Sequence, residues 1–208
     1  MVFSLRGAPP FVAVSLMPRV LQDLLCREPP VVVLLTEQRV PQLHRLLLDG
    51  ELDALVTTYS WESGDSAAPE RLCYEKLFET EVVVIAAADW RPKRPVSWKS
   101  LAAERWILPE VASYIRGLAE DMFLRAGVMT PDPVIQSTNP MTTTHLVAQG
   151  LGLGVVPAPA SEAAEREGRV TRVRVSPSIP TAPVALVYRE EARKHPRIQF
   201  LRAALERR

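Results

Sequence analysis

The stretch HLVAQGLGLGVVPA, residues 145–158, carries the strongest local structural signals in this chain. Its first part completes an apolar helical pattern over residues 140–149. Gly150 and Gly152 follow, and glycine is the residue that most often ends a helix and turns the chain. The apolar run at residues 153–156 then predicts a buried strand. The segment therefore predicts helix, turn and strand, the repeating pattern of an α/β fold.

The same alternation extends outward to both ends of the chain, as expected for an open α/β sheet. The predicted strands are residues 2–6, 31–35, 53–58, 74–78, 82–87, 106–108, 133–136, 153–156, 170–175 and 184–188. The predicted helices are residues 11–25, 41–48, a short one from 97, 113–126, 140–149, 161–166 and 196–206. Within the first helix, Phe11, Val14, Leu21 and Leu25 share an apolar face. Residues 60–70 lack periodicity and predict an exposed loop.

The charge balance and hydropathy exclude several classes of protein. The 208 residues include 25 Lys and Arg against 24 Asp and Glu, a net charge of +1, and these charges are spread along the chain. Such a chain offers no basic face to a phosphate backbone. It contains no run of about 18 apolar residues and no signal-peptide pattern. We therefore expect a cytoplasmic protein that enters no membrane and binds no nucleic acid by itself.

The residues that usually carry chemistry form no cluster in the sequence. Cys26 and Cys73 are the only cysteines, and their spacing indicates neither a disulfide framework nor a zinc site. His44, His145 and His195 are scattered, and none stands near a nucleophile motif. We therefore expect no enzyme activity, no cofactor and no metal.

An abrupt change of composition divides the chain. Residues 89–96 are rich in Trp, Arg, Pro and Lys, which predicts a crossing into a second lobe. Two α/β lobes leave a cleft, and open sheets bind ligands beyond the carboxyl ends of their strands. Helix N-termini are therefore expected to face the ligand.

Two prolines mark helix starts of this kind. Asn139 precedes Pro140 and is a good N-cap, whereas Val40 precedes Pro41 and is a poor one. The first N–H groups after Val40 therefore need water or a ligand. Arg39 is unfavourable beside a helix N-terminus, and a bound anion would relieve this. The alternative is that Arg39 points into solvent and the loose cap is tolerated.

Ser113 stands before another helical segment, and Arg116 follows three positions later. Two interpretations stay open here. Ser113 is either a simple N-cap, or its hydroxyl and the neighbouring N–H groups bind a ligand carboxylate with Arg116 nearby. The run Thr142, Thr143 and Thr144 is mildly disfavoured in a helix. We expect at least one of these threonines to face a partner surface or a cleft.

The stretch at residues 145–158 also resembles the effector-binding domain of LysR-type transcription regulators. The pattern of that family is an apolar helix end, Val-Ala-x-Gly-x-Gly-Ile/Leu, two or three apolar residues and then Pro. Further matches follow the family order: SLMPRVLQDL (15–24), LLLDGELDALV (46–56), YEKLFETEVVVIAA (74–87), WILPEVAS (106–113), FLRAGV (123–128) and VALVYRE (184–190). Each motif is weak alone, but their shared order and spacing cover nearly the whole chain.

The resemblance implies two Rossmann-like lobes of the type II periplasmic-binding-protein fold, joined by crossover strands near residues 85–90 and 180–186. Lobe I would contain residues 1–88 and 184–208, and lobe II residues 89–183. The resemblance also implies a small-molecule effector in the inter-lobe cleft. The positions that it assigns to effector binding are Pro10, Phe11, Arg39, Val40, Thr57, Thr58, Tyr59, Ser113, Tyr114 and Asn139.

The chemistry of these positions suggests the kind of effector. Relatives commonly carry a small or hydroxyl residue where this chain has Pro10 and Phe11, so its pocket is expected to be more apolar. We expect a small carboxylate or an aromatic acid.

The resemblance also implies partners. The family's N-terminal winged helix-turn-helix and linker helix are expected to be absent, because Val2 already lies in the first predicted strand of the sensor. DNA binding would belong to that missing part. Family members pair their sensor domains head to tail, so we expect a homodimer, and a tetramer of the full-length protein. Residues 11–25 and 142–144 are expected at the dimer contact.

Two other readings of the sequence follow from the same resemblance. The family's peroxide sensors use a cysteine pair in lobe II, whereas both cysteines here fall in lobe I, so we expect no redox switch. A solute-binding protein of a transport system is the alternative function, since it shares the fold class. The motif spacing and the lack of a signal peptide favour the regulator, and a monomeric state would favour the alternative.

Overall fold

The computed structural model describes residues 2–3, 10–25, 32–59, 71–92, 96–111 and 113–206. The chain divides into two compact units. Unit 1 contains Met1–Glu79 and Pro183–Arg208, and unit 2 contains Thr80–Ala182. Unit 1 is therefore built from both ends of the chain, whereas unit 2 is one continuous segment.

Strands and helices alternate through the described residues, which confirms the predicted α/β class. The strands are β1 (Val2–Phe3), β2 (Val32–Val33), β3 (Leu55–Thr58), β4 (Leu72–Thr80), β5 (Val82–Ala87), β6 (Trp106–Leu108), β7 (Ile135–Gln136), β8 (Leu153–Pro157), β9 (Val170–Arg172) and β10 (Ala182–Arg189). The α-helices are α1 (Pro10–Ser15), α2 (Met17–Leu25), α3 (Val40–Leu48), α4 (Trp98–Leu101), α5 (Tyr114–Arg125), α6 (Pro140–Ala148), α7 (Glu162–Arg166) and α8 (Pro196–Glu206). No helix within the described ranges is long and apolar enough to cross a membrane.

Unit 1 contains two sheets. β1 and β2 pair in parallel. In the other sheet β10 lies between β3 and β4 and runs antiparallel to β3. Leu43 and Leu47, four residues apart on one face of α3, are fully buried. They pack with Leu55, Ala185 and Val187, so α3 covers one face of this sheet.

The first predicted helix, residues 11–25, is two helices, and the prediction of one continuous helix is wrong. The break lies at Leu16, between α1 and α2. Pro18 explains it, because proline lacks an N–H and is tolerated only in the first turn of a helix. Val14, which the periodicity predicted to be apolar and inward, is 54% exposed. The buried side chains of this region are Val12, Ala13, Leu16, Met17 and Val20.

Unit 2 contains one five-stranded sheet in the order β7-β6-β8-β5-β9. β6 is parallel to both of its neighbours, β7 and β8. β5 is antiparallel to β8 and β9. All residues of β6 and β8 are buried, which agrees with the continuous apolar runs that predicted them.

Three large aromatic side chains form the centre of the unit 2 core. The ring of Phe123 meets Trp98 and Trp106 edge to face, with centroid distances of 5.1 and 5.4 Å. Both indole N–H groups donate to backbone carbonyls at 2.8 Å, from Trp98 to Pro177 and from Trp106 to Leu101. The buried tryptophans therefore leave no donor unsatisfied.

The glycines of the stretch at residues 145–158 each meet a different requirement. Gly150 follows α6 with φ +73°, in the left-handed region that favours glycine. A β-carbon on Gly152 would lie 2.7 Å from the carbonyl oxygen of Arg105. One on Gly154 would lie 2.8 Å from Cγ2 of Val147 on α6. The glycines therefore turn the chain, as predicted, and also let α6 and β8 pack closely.

Candidate functional site

Three of the predicted effector positions lie at one edge of the unit 2 sheet. Ser113 and Tyr114 follow β6, and Asn139 follows β7. These strands are parallel neighbours, and the N–H of Ser137 donates to the carbonyl of Leu108 at 3.0 Å. Their carboxyl ends therefore lie side by side, and the helices α5 and α6 both begin at this edge.

Asn139 is the N-cap of α6, as the sequence predicted. Its side-chain oxygen accepts hydrogen bonds from the backbone N–H groups of Met141 at 2.8 Å and Thr142 at 3.4 Å. Its side chain thereby satisfies two of the N–H groups that a helix leaves without a partner in its first turn. The interactions of Asn139 with the helix itself are thus sufficient to explain why asparagine stands here.

Ser113 occupies the N-cap position of α5, but its side chain makes no capping hydrogen bond. The N-cap interpretation of this serine is therefore confirmed for its position, but not for a capping hydrogen bond from its side chain. By contrast, the hydroxyl of Ser97 accepts from the N–H of Ser100 at 3.1 Å at the start of α4. Ser113 is half-buried, and Tyr114, the first residue of α5, is half-buried as well. The α5 N-terminus thus keeps the polar groups that could receive an anion.

Arg116, in the first turn of α5, is the only charged residue among the buried residues of the described ranges, at 7% exposure. Its Nε donates to Oε1 of Glu120 at 2.6 Å, and its Nη1 donates to the carbonyl of Pro109 at 3.5 Å. Pro109 directly follows β6, so this guanidinium lies at the carboxyl end of that strand. The sequence placed Arg116 near Ser113, but it did not predict the burial of Arg116 or its pairing with Glu120.

The three threonines of α6 have different environments. Thr143 and Thr144 are buried, and their hydroxyls donate to the carbonyls of Asn139 and Pro140 at 3.2 and 2.9 Å. Thr142 is exposed. Thr142 therefore faces outward, and its contact with a partner surface or a cleft stays a prediction, whereas the expectation that residues 142–144 lie at a dimer contact is wrong for the two buried ones.

In unit 1, the predicted positions Arg39 and Val40 lie at the start of α3. The N-cap is Arg39 and not Val40, and no side chain caps this helix. Pro41 occupies the first turn, as predicted. The exposed Arg39 stands beside an N-terminus whose partial positive charge it does not neutralise.

Thr57, Thr58 and Tyr59 lie at the end of β3. Thr57 is fully buried, and its hydroxyl donates to the carbonyl of Thr58 at 3.2 Å. The ring of Tyr59 packs against Tyr74 with a centroid distance of 5.4 Å. Burial raises the pKa of Tyr59 to about 12. Tyr74 in turn contacts Nε2 of His44 through its hydroxyl at 3.4 Å, so an aromatic cluster backs this position.

Pro10 and Phe11 are the first two residues of α1, which begins one residue before the predicted helix start at Phe11. Cys73 lies on β4 and is half-buried. Cys26 and residues 60–70 lie outside the described residues. Across the part of the chain that the structure describes, no group of three His, Cys, Asp or Glu side chains could hold a metal ion.

Nearly the whole sequence is similar to known proteins. The LysR substrate binding domain family matches residues 7–208. The "Probable hydrogen peroxide-inducible genes activator" of Mycobacterium avium is 26% identical over 190 residues, which cover 89% of this chain and 58% of that relative. The chain therefore spans less than two thirds of the length of this relative.

Two solved structures share the fold. The effector binding domain of QuiR in complex with shikimate has a TM-score of 0.80 at 15% identity, and the match covers 100% of this chain and 96% of that one. The regulatory domain of Synechocystis PCC6803 CcmR in complex with 2-PG has a TM-score of 0.81 at 16% identity, and covers 99% and 96%. The predicted effector-binding-domain fold, of the type II periplasmic-binding-protein class, is thereby confirmed. Together with the match over residues 7–208, this means that the chain belongs to the LysR substrate binding domain family.

Proposed function

We propose that this chain is the ligand-sensing part of a LysR-type, DNA-binding transcription regulator. Its family membership and the activator from Mycobacterium avium support this function. DNA binding is assigned to a part of such regulators that this chain does not match. A solute-binding protein of a transport system is not favoured, because the matched relative regulates genes.

The effector that we propose is a small organic carboxylate, bound at the edge where α5 and α6 begin. The observation that carries this proposal is the buried Arg116 guanidinium beside the uncapped N-terminus of α5. Glu120 already pairs with Nε of Arg116, but an arginine has five N–H donors and can take a further acceptor, and a helix N-terminus favours an anion. The ligand of QuiR gives further support, since shikimate is a cyclic carboxylate.

The unit 1 positions are proposed as further effector contacts. The α3 N-terminus at Arg39 and Val40 is the second uncapped helix start with a cation beside it. Tyr59 offers an aromatic surface, which suits an aromatic acid. We also propose as effector contacts the remaining unit 1 positions that the family resemblance implies, which are Pro10, Phe11, Thr57 and Thr58.

A thermal-shift screen with shikimate, benzoate and other small carboxylates tests this function. A ligand at about 100 times its dissociation constant stabilises the protein by about 2.7 kcal/mol. We expect a stabilising carboxylate whose effect is lost in Arg116→Met and weakened in Ser113→Ala and Arg39→Ala. Arg105→Met, which removes an exposed arginine of unit 2, is the control and should keep the effect. Stabilisation that survives Arg116→Met would refute the site.

We also propose that the chain forms a homodimer. Val32 on β2 is 55% exposed, and Leu34 and Leu35 beyond it are each 38% exposed. Val134, next to the sheet-edge strand β7, is 54% exposed. Apolar side chains at strand edges favour pairing with another chain. Light scattering coupled to size-exclusion chromatography should show a dimer that Val32→Lys with Leu34→Lys converts to a monomer, and a monomeric wild type would contradict the proposal.

A further inference from the structure

The Arg116–Glu120 ion pair places the negative charge of Glu120 directly beside the guanidinium of the proposed carboxylate site. Arg116 is nine-tenths buried, with 8% of its side chain exposed, whereas Glu120 keeps 38% of its side chain exposed. The two residues are four positions apart on α5, so the helix itself holds their side chains together. Any anion that reaches the guanidinium therefore also meets the carboxylate of Glu120.

The guanidinium has hydrogen-bonding capacity beyond this pair. An arginine side chain has five N–H donors, and the contacts with described residues use one on Nε and one on Nη1. The Nη1 contact is long, at 3.5 Å, and is therefore weak. Among the described residues, no acceptor is assigned to the other three N–H groups, which can therefore serve a further acceptor. A carboxylate that approaches the Nη1 and Nη2 edge can accept two parallel hydrogen bonds.

The charges near the Nη1 and Nη2 atoms of Arg116 determine which net charge of the ligand is favoured. The α5 N-terminus and Arg116 attract an anion, and the negative charge of Glu120 offsets part of that attraction. A ligand with one negative charge is still favoured, because it gains the remaining hydrogen bonds and the helix dipole. A second negative charge on the ligand would add repulsion from Glu120 without gaining a second cation.

We propose that Glu120 determines the charge class of the effector, so that the site accepts monocarboxylates and discriminates against dianions. This inference rests on the proposed carboxylate site at Arg116. Glu120 thus acts as a specificity-determining residue through the cation that it partly neutralises.

The experiment uses two small methyl-substituted anions of different charge, acetate and methylphosphonate, which need no knowledge of the full effector. At about pH 8.5 methylphosphonate is mostly a dianion, since phosphate-type groups have a second pKa of about 6. Constant ionic strength removes differences in screening. Titration of the Arg116 Cζ signal by carbon-13 NMR reports binding at this guanidinium, and the Cζ signal of the exposed Arg105 is the internal reference.

In the wild type we expect acetate to bind at Arg116 roughly tenfold more tightly than methylphosphonate, which corresponds to about 1.4 kcal/mol. Glu120→Gln keeps a side-chain oxygen for Nε but removes the charge, so the preference should disappear or reverse. Asp121→Asn removes a neighbouring, exposed charge from the same helix and should leave the preference unchanged.

The outcomes separate this inference from the proposed function. If both anions bind at Arg116 and Glu120→Gln leaves their ratio unchanged, the charge inference is wrong and the carboxylate site stands. An equal effect of Asp121→Asn and Glu120→Gln would also overturn the inference. If neither anion shifts the Arg116 signal in the wild type or in Glu120→Gln, the proposed site and the inference both fail.

Discussion

Gly152 packs directly against Arg105, a residue 47 positions earlier: a β-carbon on Gly152 would lie 2.7 Å from the Arg105 carbonyl oxygen. That oxygen accepts a hydrogen bond from the N–H of Leu153 at 2.8 Å. The contact therefore joins the end of the glycine turn to the residue before β6. Because this carbonyl oxygen belongs to the backbone, its displacement costs more free energy than the rotation of a flexible side chain.

Gly152→Ala should consequently destabilise unit 2. Overpacking of this kind costs about 1–3 kcal/mol. Urea unfolding monitored by tryptophan fluorescence measures it, because Trp98 and Trp106 lie in the unit 2 core. Gly117→Ala is the matched control: it lies within α5, its β-carbon would meet nothing within 4 Å, and it should stabilise by about 0.5–1 kcal/mol. Equal stability of the two variants would contradict the close-contact argument.

The two N-cap positions of unit 2 should respond differently to alanine. Asn139→Ala removes hydrogen bonds to Met141 and Thr142 and should cost about 1 kcal/mol. Ser113→Ala removes a hydroxyl that caps nothing, so its cost should be clearly smaller. The free energy of unfolding of each variant, measured without ligand, tests this order. A larger loss for Ser113→Ala would mean that its hydroxyl does cap α5.

The stability of unit 1 should depend on the ionisation of Glu75. Burial alone would raise the pKa of Glu75, but hydrogen bonds from Arg202 and Tyr188 and the charge of Arg202 outweigh it and lower the pKa. Arg202 makes two contacts with this carboxylate, at 2.8 and 2.6 Å. Because the folded-state pKa is lowered, the stabilisation is present above about pH 4.5 and is lost as the pH falls through the folded-state pKa.

We therefore expect the difference in unfolding free energy between wild type and Glu75→Gln to shrink between about pH 7 and about pH 3. Denaturant unfolding at several pH values measures this difference. Glu51→Gln removes an exposed carboxylate of the same unit and is the control. Its difference in unfolding free energy from the wild type should change little with pH. A difference that stays constant with pH would show that the Glu75 charge does not contribute.

Cys73 should react slowly as a nucleophile. Burial and the nearby charge of Glu190 raise the pKa of its thiol, so little thiolate is present at neutral pH. In a Cys26→Ser variant, Cys73 should be alkylated by iodoacetamide more slowly than free glutathione, and mass spectrometry should find it unoxidised after brief exposure to hydrogen peroxide. Rapid oxidation would overturn the expectation of no redox switch and would align this chain with its peroxide-responsive relative.

Local signals explain why the elements of unit 2 could be predicted from the sequence. Asn139 with Pro140 gave the start of α6, and Gly150 gave its end. β6 and α8 have the predicted bounds. Pro18 is a signal of the same kind and marks the start of α2, whereas the apolar periodicity alone predicts one continuous helix.

Contacts between distant residues could not be predicted in this way. No local pattern indicates that Arg116 becomes buried or that the hydroxyl of Thr144 also lies 3.2 Å from the carbonyl oxygen of Ala160. The role of Gly152 also depends on Arg105, which belongs to a different element. Such features depend on packing, which a pattern of hydrophobic and polar residues does not specify.

The place of β10 in its sheet sets the order in which this protein can be synthesised and folded. β10 is the middle strand of the three-stranded sheet of unit 1, yet it follows nearly all of unit 2 in the sequence. During translation, the first part of unit 1 and the continuous segment of unit 2 are therefore synthesised before β10, and unit 2 can fold before unit 1 is complete. β3 and β4 can join one sheet only after β10 has been synthesised, because β10 lies between them. The nascent chain therefore passes through a stage with a complete second unit and an open first one, which is when chaperones would have strands to protect.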